Sequence, residues 1–450
     1  MRIVIAGAGA VGSHLARLLS KEDLDVVLID DDIVRLSKLG NDLDIMTYRT
    51  DFSSIKGLKE SGLEETDLFI AVTPHESVNL NCCMIAHQIG AKQTVARIDN
   101  YEYLRKENIG FFTNPHIGIN SLIYPEMLAA KEIADSAQFS WVRQWWEFHN
   151  GSLVLLSVKV HQRANIIGKT LRDLGTAGHH FHVVAIKREG ETISPHGDER
   201  ILPEDLVFFM VRRQDIDFVK QATGKDDLSY PPVKHVMIIG GTKLAERVSW
   251  AFPNQVKIKI VDPDAQRCER LAEQVKGNTT VIYGECHDMS LLEEEGLRDC
   301  EAFIALTDDD DANILACVAA RRRGIPKTIA QVENMDYLSM AEDLDVGTII
   351  NKKTIAASHI YQMMMKADVD SMKILNVAEA EVAEFVVKPD SKVCSKMVKD
   401  LNLPRGVNFG GMMHNGESTL VNGLTQMQPG DKVVAFCVEG SLKRLDKYFK

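Results

Sequence analysis

The sequence predicts an α/β protein: two doubly wound parallel-sheet domains, each followed by a small α+β module. Three observations carry that expectation. The chain opens on a β-branched run, Arg2 to Ala6, that leads into Gly7-x-Gly9-x-x-Gly12 and then a helical pattern of Val11, Leu15, Leu18 and Leu19. Short apolar runs then alternate with helical segments, the pattern of a parallel sheet with crossover helices. The whole arrangement starts again at residue 235, at an offset of 232–234 residues.

The first stretch has the context of a dinucleotide-binding turn. Gly7 permits the tight turn, Gly9 lets a pyrophosphate approach the backbone, and Gly12 lets helix pack on strand. Phosphates would sit on the backbone of Gly7, Ala8, Gly9, Ala10, Val11 and Gly12, where unpaired N–H groups and the helix dipole favour negative charge. A second strand, Val26 to Ile29, ends at Asp30, whose carboxylate can accept both ribose hydroxyls and repels a 2′-phosphate.

Further strands are expected at Asp44 to Arg49, ending at Thr50-Asp51; at Leu68 to Val72, ending at Thr73-Pro74; and at Thr94 to Ile98, which contains Arg97. Ligands of such sheets bind beyond the carboxyl ends of the strands, where the glycine turn, Asp30, Asp51, Thr73 and Arg97 all fall. Residues 121–137 read as an amphipathic helix leaving the domain. From Leu153 the pattern changes to strands at Leu153 to Val160, Val183 to Lys187 and Leu206 to Val211, with a short helix at Gly168 to Leu174. Residues 223–234, with Gly224, Pro231 and Pro232, read as a linker.

The duplication is nearly in register. Gly240 lies 233 residues after Gly7, Asp262 lies 232 after Asp30, and Thr307 and Asn313 lie 234 after Thr73 and Asn79. The small module recurs as well, with Asp400-Leu401 matching Asp173-Leu174 and Asp431 matching Asp205. Four domains follow, at 1–120, 140–224, 233–351 and 370–450. The second copy is chemically different. Thr242 stands where Gly9 should recur, Ala245 replaces Gly12, and Gln331 replaces Arg97, while Asp262 keeps an acid at the ribose end. A weakened nucleotide site and a copy kept only for packing are both open readings.

Composition narrows the function. The chain has 450 residues, 45% hydrophobic and 26% charged, with a net charge of −12. No basic block is present beyond Arg321-Arg322-Arg323, so nucleic acid is not an expected partner. No apolar run reaches the length of a membrane span, and the N-terminus enters a strand at once, so neither a span nor a signal peptide is expected. The eight cysteines show no Cys-x-x-Cys spacing and read as reduced core thiols.

The residues Ile3 to Gly12, Val27 to Asp30, Thr50-Asp51, Ile70 to Thr73 and Val95 to Ile98 resemble the nucleotide-binding N-terminal domains of the RCK (KTN) family. The block Leu171 to Leu174, Val184 to Arg188, Pro195 and Pro203-Glu204-Asp205 resembles the RCK C-terminal module. Two tandem pairs over nearly the whole chain are similar to the regulatory subunits of bacterial Trk potassium uptake systems. The resemblance implies a cytoplasmic protein, peripheral on the inner face of the cell membrane. It implies binding of NAD(H) or ADP/ATP, and assembly as a homo-oligomeric ring, expected to be a tetramer, on a Trk-type potassium-transporting membrane subunit. It carries nucleotide contacts onto Gly7 to Val11, Asp30 and Thr73, with Arg97 as the matching basic residue. Pro74 departs from the family pattern and offers no backbone donor.

The rival class is an NAD-dependent oxidoreductase, which needs a general acid or base at the nicotinamide. Candidates are His14, His75, His116 and the group His179, His180 and His182, of which only His180 and His182 share a strand face. Isolated histidines are more often surface or satisfied core groups. Asp308 to Asp311 reads better as a helix N-terminus than as a cation site. Trp141, Trp145, Trp146 and Phe148, read at helical spacing, suit interface packing better than ligand stacking. A redox-sensing transcription factor would need a basic DNA-binding module, which the sequence lacks. A duplicated binding fold without a catalytic set points to a sensor.

Overall fold

The computed structural model describes residues 1–450 apart from 22–23, 115, 177–179, 226–229, 365–368, 376–379, 439–440 and 450. The chain divides into two compact units, Met1–Leu128 with Lys352–Met364, and Ala129–Asn351 with Met365–Lys450.

The first unit contains β1 (Arg2–Ala6), α1 (Ala10–Leu19), β2 (Asp25–Asp30), α2 (Ile33–Asp42), β3 (Met46–Arg49), α3 (Ile55–Glu60), β4 (Leu68–Ala71), α4 (Glu76–Ile89), β5 (Gln93–Arg97), α5 (Ile109–Thr113) and β6 (Ser121–Ile123). The strands form one parallel sheet in the order β3-β2-β1-β4-β5-β6. Strand order reverses between β1 and β4, so a crevice opens above their carboxyl ends. Ile3, Val4, Ile5 and Ala6 are fully buried, because crossover helices cover both faces of a parallel sheet. The core on one face gathers Val4, Ala6, Phe69, Ala71, Cys82, Cys83 and Ala96.

Helix α6 (Pro125–Ala137) follows, and in the second unit come β7 (Gln144–Phe148), β8 (Leu153–Lys159), α7 (Leu171–Thr176), β9 (Phe181–Arg188), β10 (Glu191–Ile193), β11 (Leu206–Arg212) and α8 (Ile216–Ala222). They build an antiparallel sheet in the order β10-β9-β11-β8-β7. The parallel sheet then repeats through β12 (His235–Ile239), α9 (Lys243–Ala251), β13 (Lys257–Asp262), α10 (Ala265–Gln274), β14 (Thr279–Tyr283), α11 (Met289–Glu294), β15 (Ala302–Ala305), α12 (Asp310–Arg322), β16 (Lys327–Gln331), α13 (Leu338–Asp343) and β17 (Thr348–Ile350). Its order, β14-β13-β12-β15-β16-β17, reproduces the first sheet strand for strand. Helix α14 (Lys352–Met364) belongs to the first unit, where it packs along α1. The chain ends in β18 (Val369–Leu375), β19 (Ala380–Val386), β20 (Val407–His414), β21 (Glu417–Leu420), β22 (Lys432–Val438) and α15 (Leu442–Phe449), whose sheet runs β18-β19-β22-β20-β21. The two antiparallel sheets share one core, in which Phe148, Leu155, Phe208 and Met210 meet Val382, Val434 and Phe436.

Two expectations are corrected. Residues 121–137 are not one helix: Ser121–Ile123 pairs with Val95 to Arg97 as β6, and the helix starts at Pro125. Open edge hydrogen bonds on β5 outweigh the local helical pattern, and proline suits the first turn. The tryptophan segment is a strand. Its alternation sends Trp145 into one core of the first antiparallel module, and Trp146 and Phe148 into the core that module shares with the second. His179, one of the histidine candidates, lies outside the described residues.

Candidate nucleotide site

The site is assembled by the loops that leave β1, β2, β3 and β4. A cavity of about 720 Å³ lies there, lined by Gly7, Gly9, Asp30, Asp51, Thr73 and Pro74. That volume is in the range of pockets that take small cofactors.

Gly7 turns with φ +107°, a conformation L side chains rarely adopt, and a Cβ on it would lie 3.0 Å from the Thr73 amide nitrogen. A Cβ on Gly12 would lie 1.8 Å from the Gly7 carbonyl oxygen, so α1 sits directly on the turn. Gly9 is different. It caps α1 in an extended conformation with φ −70°, and a Cβ built there meets nothing within 4 Å. Neither the backbone nor the packing needs glycine at position 9. The open space it leaves faces the cavity, at a helix N-terminus with no side-chain cap. That is where an anion gains most from the free N–H groups.

Asp30 is 3% exposed and fixed by two backbone donors: the Ala8 N–H at 2.5 Å on Oδ2 and the Asp32 N–H at 2.9 Å on Oδ1. Each oxygen retains a lone pair for a ligand hydroxyl. Asp51 accepts from the Ser53 N–H and hydroxyl, both at 2.7 Å, which hold its carboxyl below the usual range. Thr73 is set by Asn79, whose amide oxygen accepts from the Thr73 N–H (2.9 Å) and hydroxyl (2.7 Å). The Asn79 amide nitrogen donates to the carbonyls of Thr73 and Arg97, so one side chain ties the ends of β4 and β5 together.

Of the residues expected at the site, Ala8, Ala10, Val11 and Gly12 contribute through the turn and helix rather than by lining the cavity. Arg97 is not among the lining residues: it ends β5, which β4 separates from β1. The guanidinium at the cavity is that of Arg35, on the first turn of α2, with Nε 3.2 Å from Asp32 Oδ2. Strand-end counting missed Arg35, Asp31, Ser53 and Ser77, which reach the cavity from the loops and helix starts beyond the strands, whereas His75, weighed as an acid or base candidate, lines the cavity. The spacing Asp30-x-x-x-x-Arg35 was the available signal.

Asp262 occupies the equivalent place in the second parallel sheet, where the Gly241 N–H (2.6 Å) and the Asp264 N–H (2.9 Å) reproduce the anchoring of Asp30. There the resemblance stops. Thr242 turns its hydroxyl inward, accepting from the Ala245 N–H at 3.3 Å and donating to the Leu306 carbonyl at 3.1 Å. Helix α9 is thus capped by its own side chain. Arg267, the counterpart of Arg35, reaches back to Asp262 Oδ2 at 3.3 Å and takes the acceptor that a ribose would use. Gln331 is buried at the end of β16, as Arg97's substitute.

The histidine pair and the acidic run have structural partners. His180 stacks on Phe218 and lies 3.5 Å from Asp215, and His182 Nε2 lies 3.1 Å from Asn408 Oδ1, so they do not form a metal pair. Among the described residues no group of three or more metal-ligating side chains occurs. In the acidic run, Asp309 caps α12 through the Ala312 N–H, and Asp310 accepts from the Glu333 and Asn334 N–H groups. Burial pushes the thiols of Cys82, Cys300 and Cys317 up to about 12, which makes them poor nucleophiles. No helix among the described residues is long and apolar enough to cross a membrane.

Comparison with known proteins agrees with this layout. The TrkA-N domain family matches residues 3–125 and 236–352, and the TrkA-C domain family matches 155–223 and 382–450. The Trk system potassium uptake protein TrkA of Halomonas elongata is 30% identical over 448 residues, covering 98% of this chain and 96% of its own. That of Haemophilus influenzae is 28% identical, covering 100% and 99%. Among solved structures, "GsuK channel bound to NAD" superposes with a TM-score of 0.61 at 14% identity, covering 100% of this chain and 78% of that one.

Proposed function

The chain belongs to the TrkA family, with its TrkA-N and TrkA-C domains in tandem, and on that premise we propose that it is a nucleotide-sensing regulatory subunit of potassium uptake. Its partner is a Trk-type membrane subunit, on whose inner face it assembles as a homo-oligomeric ring, a tetramer. The nucleotide is NAD(H) or ADP/ATP, with its ribose on Asp30 and its phosphates over the turn from Gly7 to Gly12. The observation that carries the reading is the space at Gly9: no protein atom fills it, and it sits at an uncapped helix N-terminus above a cavity that contains an anchored acid.

Binding there is positioned to be reported. The flank of α1, whose N-terminus would hold the phosphates, carries α14, with His14 Nε2 3.4 Å from Thr354 Oγ1. Helix α14 continues directly from β17 of the second parallel sheet. A ligand that shifts α1 therefore acts on a segment covalently joined to the other half of the chain. It can move a conformational equilibrium only by its differential affinity for the two states, typically about 1–3 kcal/mol. The site binds without turning the nucleotide over.

Calorimetry of the full chain against NADH, NAD, ADP and ATP, alongside potassium flux of a reconstituted Trk-type subunit, tests this. Saturable binding together with nucleotide-dependent flux is expected. Steady NADH oxidation by the chain with a small substrate, or flux indifferent to chain and nucleotide, would overturn it.

A further inference from the structure

A second cavity, far smaller, lies inside the second unit, where the first antiparallel module meets the second parallel sheet. It measures about 30 Å³, room for one ion or one to two waters. Its wall carries Arg143, Lys159, Arg321 and Lys327. Lys327 is 2% exposed, and its ammonium donates to Ser136 Oγ (3.0 Å), the Val142 carbonyl (2.6 Å) and Thr348 Oγ1 (2.9 Å). Those three bonds use every proton of an ammonium, and every acceptor is neutral. Arg143 and Arg321 both bond to Asp345, and Lys159 lies 3.9 Å from the same carboxylate and 3.3 Å from Glu204. Lys225 also lines the wall and donates to the Tyr230 hydroxyl at 2.8 Å. The other four cations share two carboxylates among the described residues, Asp345 and Glu204, and both are partly solvent-exposed.

We propose that this cavity binds one small monovalent inorganic anion of halide size, which compensates the excess positive charge at the junction of the two domains. A buried charge without a counter-charge costs several kcal/mol, and an anion in the cavity supplies the missing partner. The direction of the local electrostatics agrees. Burial, with the guanidiniums of Arg143 and Arg321, holds the Lys327 ammonium well below its ordinary value, and burial with Arg321 lowers Arg143 to about 10. Size excludes the polyphosphate of a nucleotide, so this site is independent of the cavity above Gly7 and Gly9.

The test is thermal unfolding of the full chain titrated with potassium chloride against potassium gluconate, at constant potassium and ionic strength. Gluconate is too large for the cavity. Chloride should produce a saturating rise of roughly 2 °C over gluconate. The rise should disappear in Arg321→Gln and in Lys159→Gln and persist in Arg298→Gln, whose exposed pair with Glu293 lies elsewhere. Lys327→Met removes the central charge and should also abolish it, but Lys159→Gln, at a more accessible position, decides the matter if that variant does not fold. Equal rises with both anions, or a chloride rise unchanged in Arg321→Gln and Lys159→Gln, would overturn the proposal.

Discussion

The three glycines of the turn separate into two roles that a single motif conceals. Gly7 and Gly12 are required by the protein itself, one by its positive φ and the other by the 1.8 Å that a methyl would leave to the Gly7 carbonyl oxygen. Gly12→Ala should therefore destabilise the first domain by about 1–3 kcal/mol, read in chemical denaturation. Gly9→Thr makes the first turn resemble the second, where Thr242 caps its own helix. It should leave unfolding within about 0.5 kcal/mol of the parent while weakening nucleotide binding at least roughly ten-fold. A large loss of stability in Gly9→Thr would show that position 9 is needed for packing after all. Asp30→Ala removes a charged hydrogen-bonding partner and should weaken nucleotide binding by ~1.5–3 kcal/mol. Affinity unchanged in Asp30→Ala would place the ribose elsewhere.

Between strands and helices, the same polar clamp is built twice. Asn79 and Asn313 are both buried. Asn313 repeats every bond of its counterpart, accepting from the Thr307 N–H and hydroxyl and donating to the carbonyls of Thr307 and Gln331. Replacing either by alanine strands buried donors and acceptors at two strand ends, at a cost of about 1–3 kcal/mol. Asn79→Ala should also weaken nucleotide binding, since Thr73 lines the cavity, and Asn313→Ala should not. The contact of α1 with α14 should respond to pH. Burial, with Lys353, Arg17 and Lys21 nearby, lowers His14 from 6.5 to about 4. The folded value lies below the unfolded one, so the unfolded chain takes up the proton first. Stability from this residue is complete above pH 6.5 and falls as the pH drops toward 4, by roughly 3 kcal/mol at most. The His14→Gln variant should lose that part of the pH dependence. An unaltered slope between pH 6.5 and 4 would assign it to other groups.

Across the whole chain, the duplication places two equivalent folds in one polypeptide, and of their two turn helices α9 is capped by a side chain and α1 is not. The second turn has its helix capped by Thr242 and its acid engaged by Arg267, so calorimetry should find one strong nucleotide site per chain. Arg267→Ala should strengthen binding at the second turn by freeing Asp262. Two equal sites per chain in the parent would contradict the asymmetry. The antiparallel modules are duplicated too, and they bury a shared face that holds His149 Nε2 2.8 Å from Glu384 Oε1.

The α/β class, the duplication and the gathering of Gly7, Gly9, Asp30, Asp51 and Thr73 at one cavity were legible in the sequence, because each depends on local chemistry. A turn that needs positive φ admits little but glycine, a buried parallel strand reads as a β-branched run, and a strand end places the next residue at the crevice. The tertiary structure decided the rest. It placed Arg35 rather than Arg97 at the cavity, because strand order, not strand sequence, sets which strand end lies next to the turn. It made a strand of Ser121–Ile123, because an open sheet edge outweighs local periodicity. It also brought Arg143, from the turn before β7, to the same small cavity as Arg321 and Lys327, a charge imbalance that their sequence distance from Arg143 conceals.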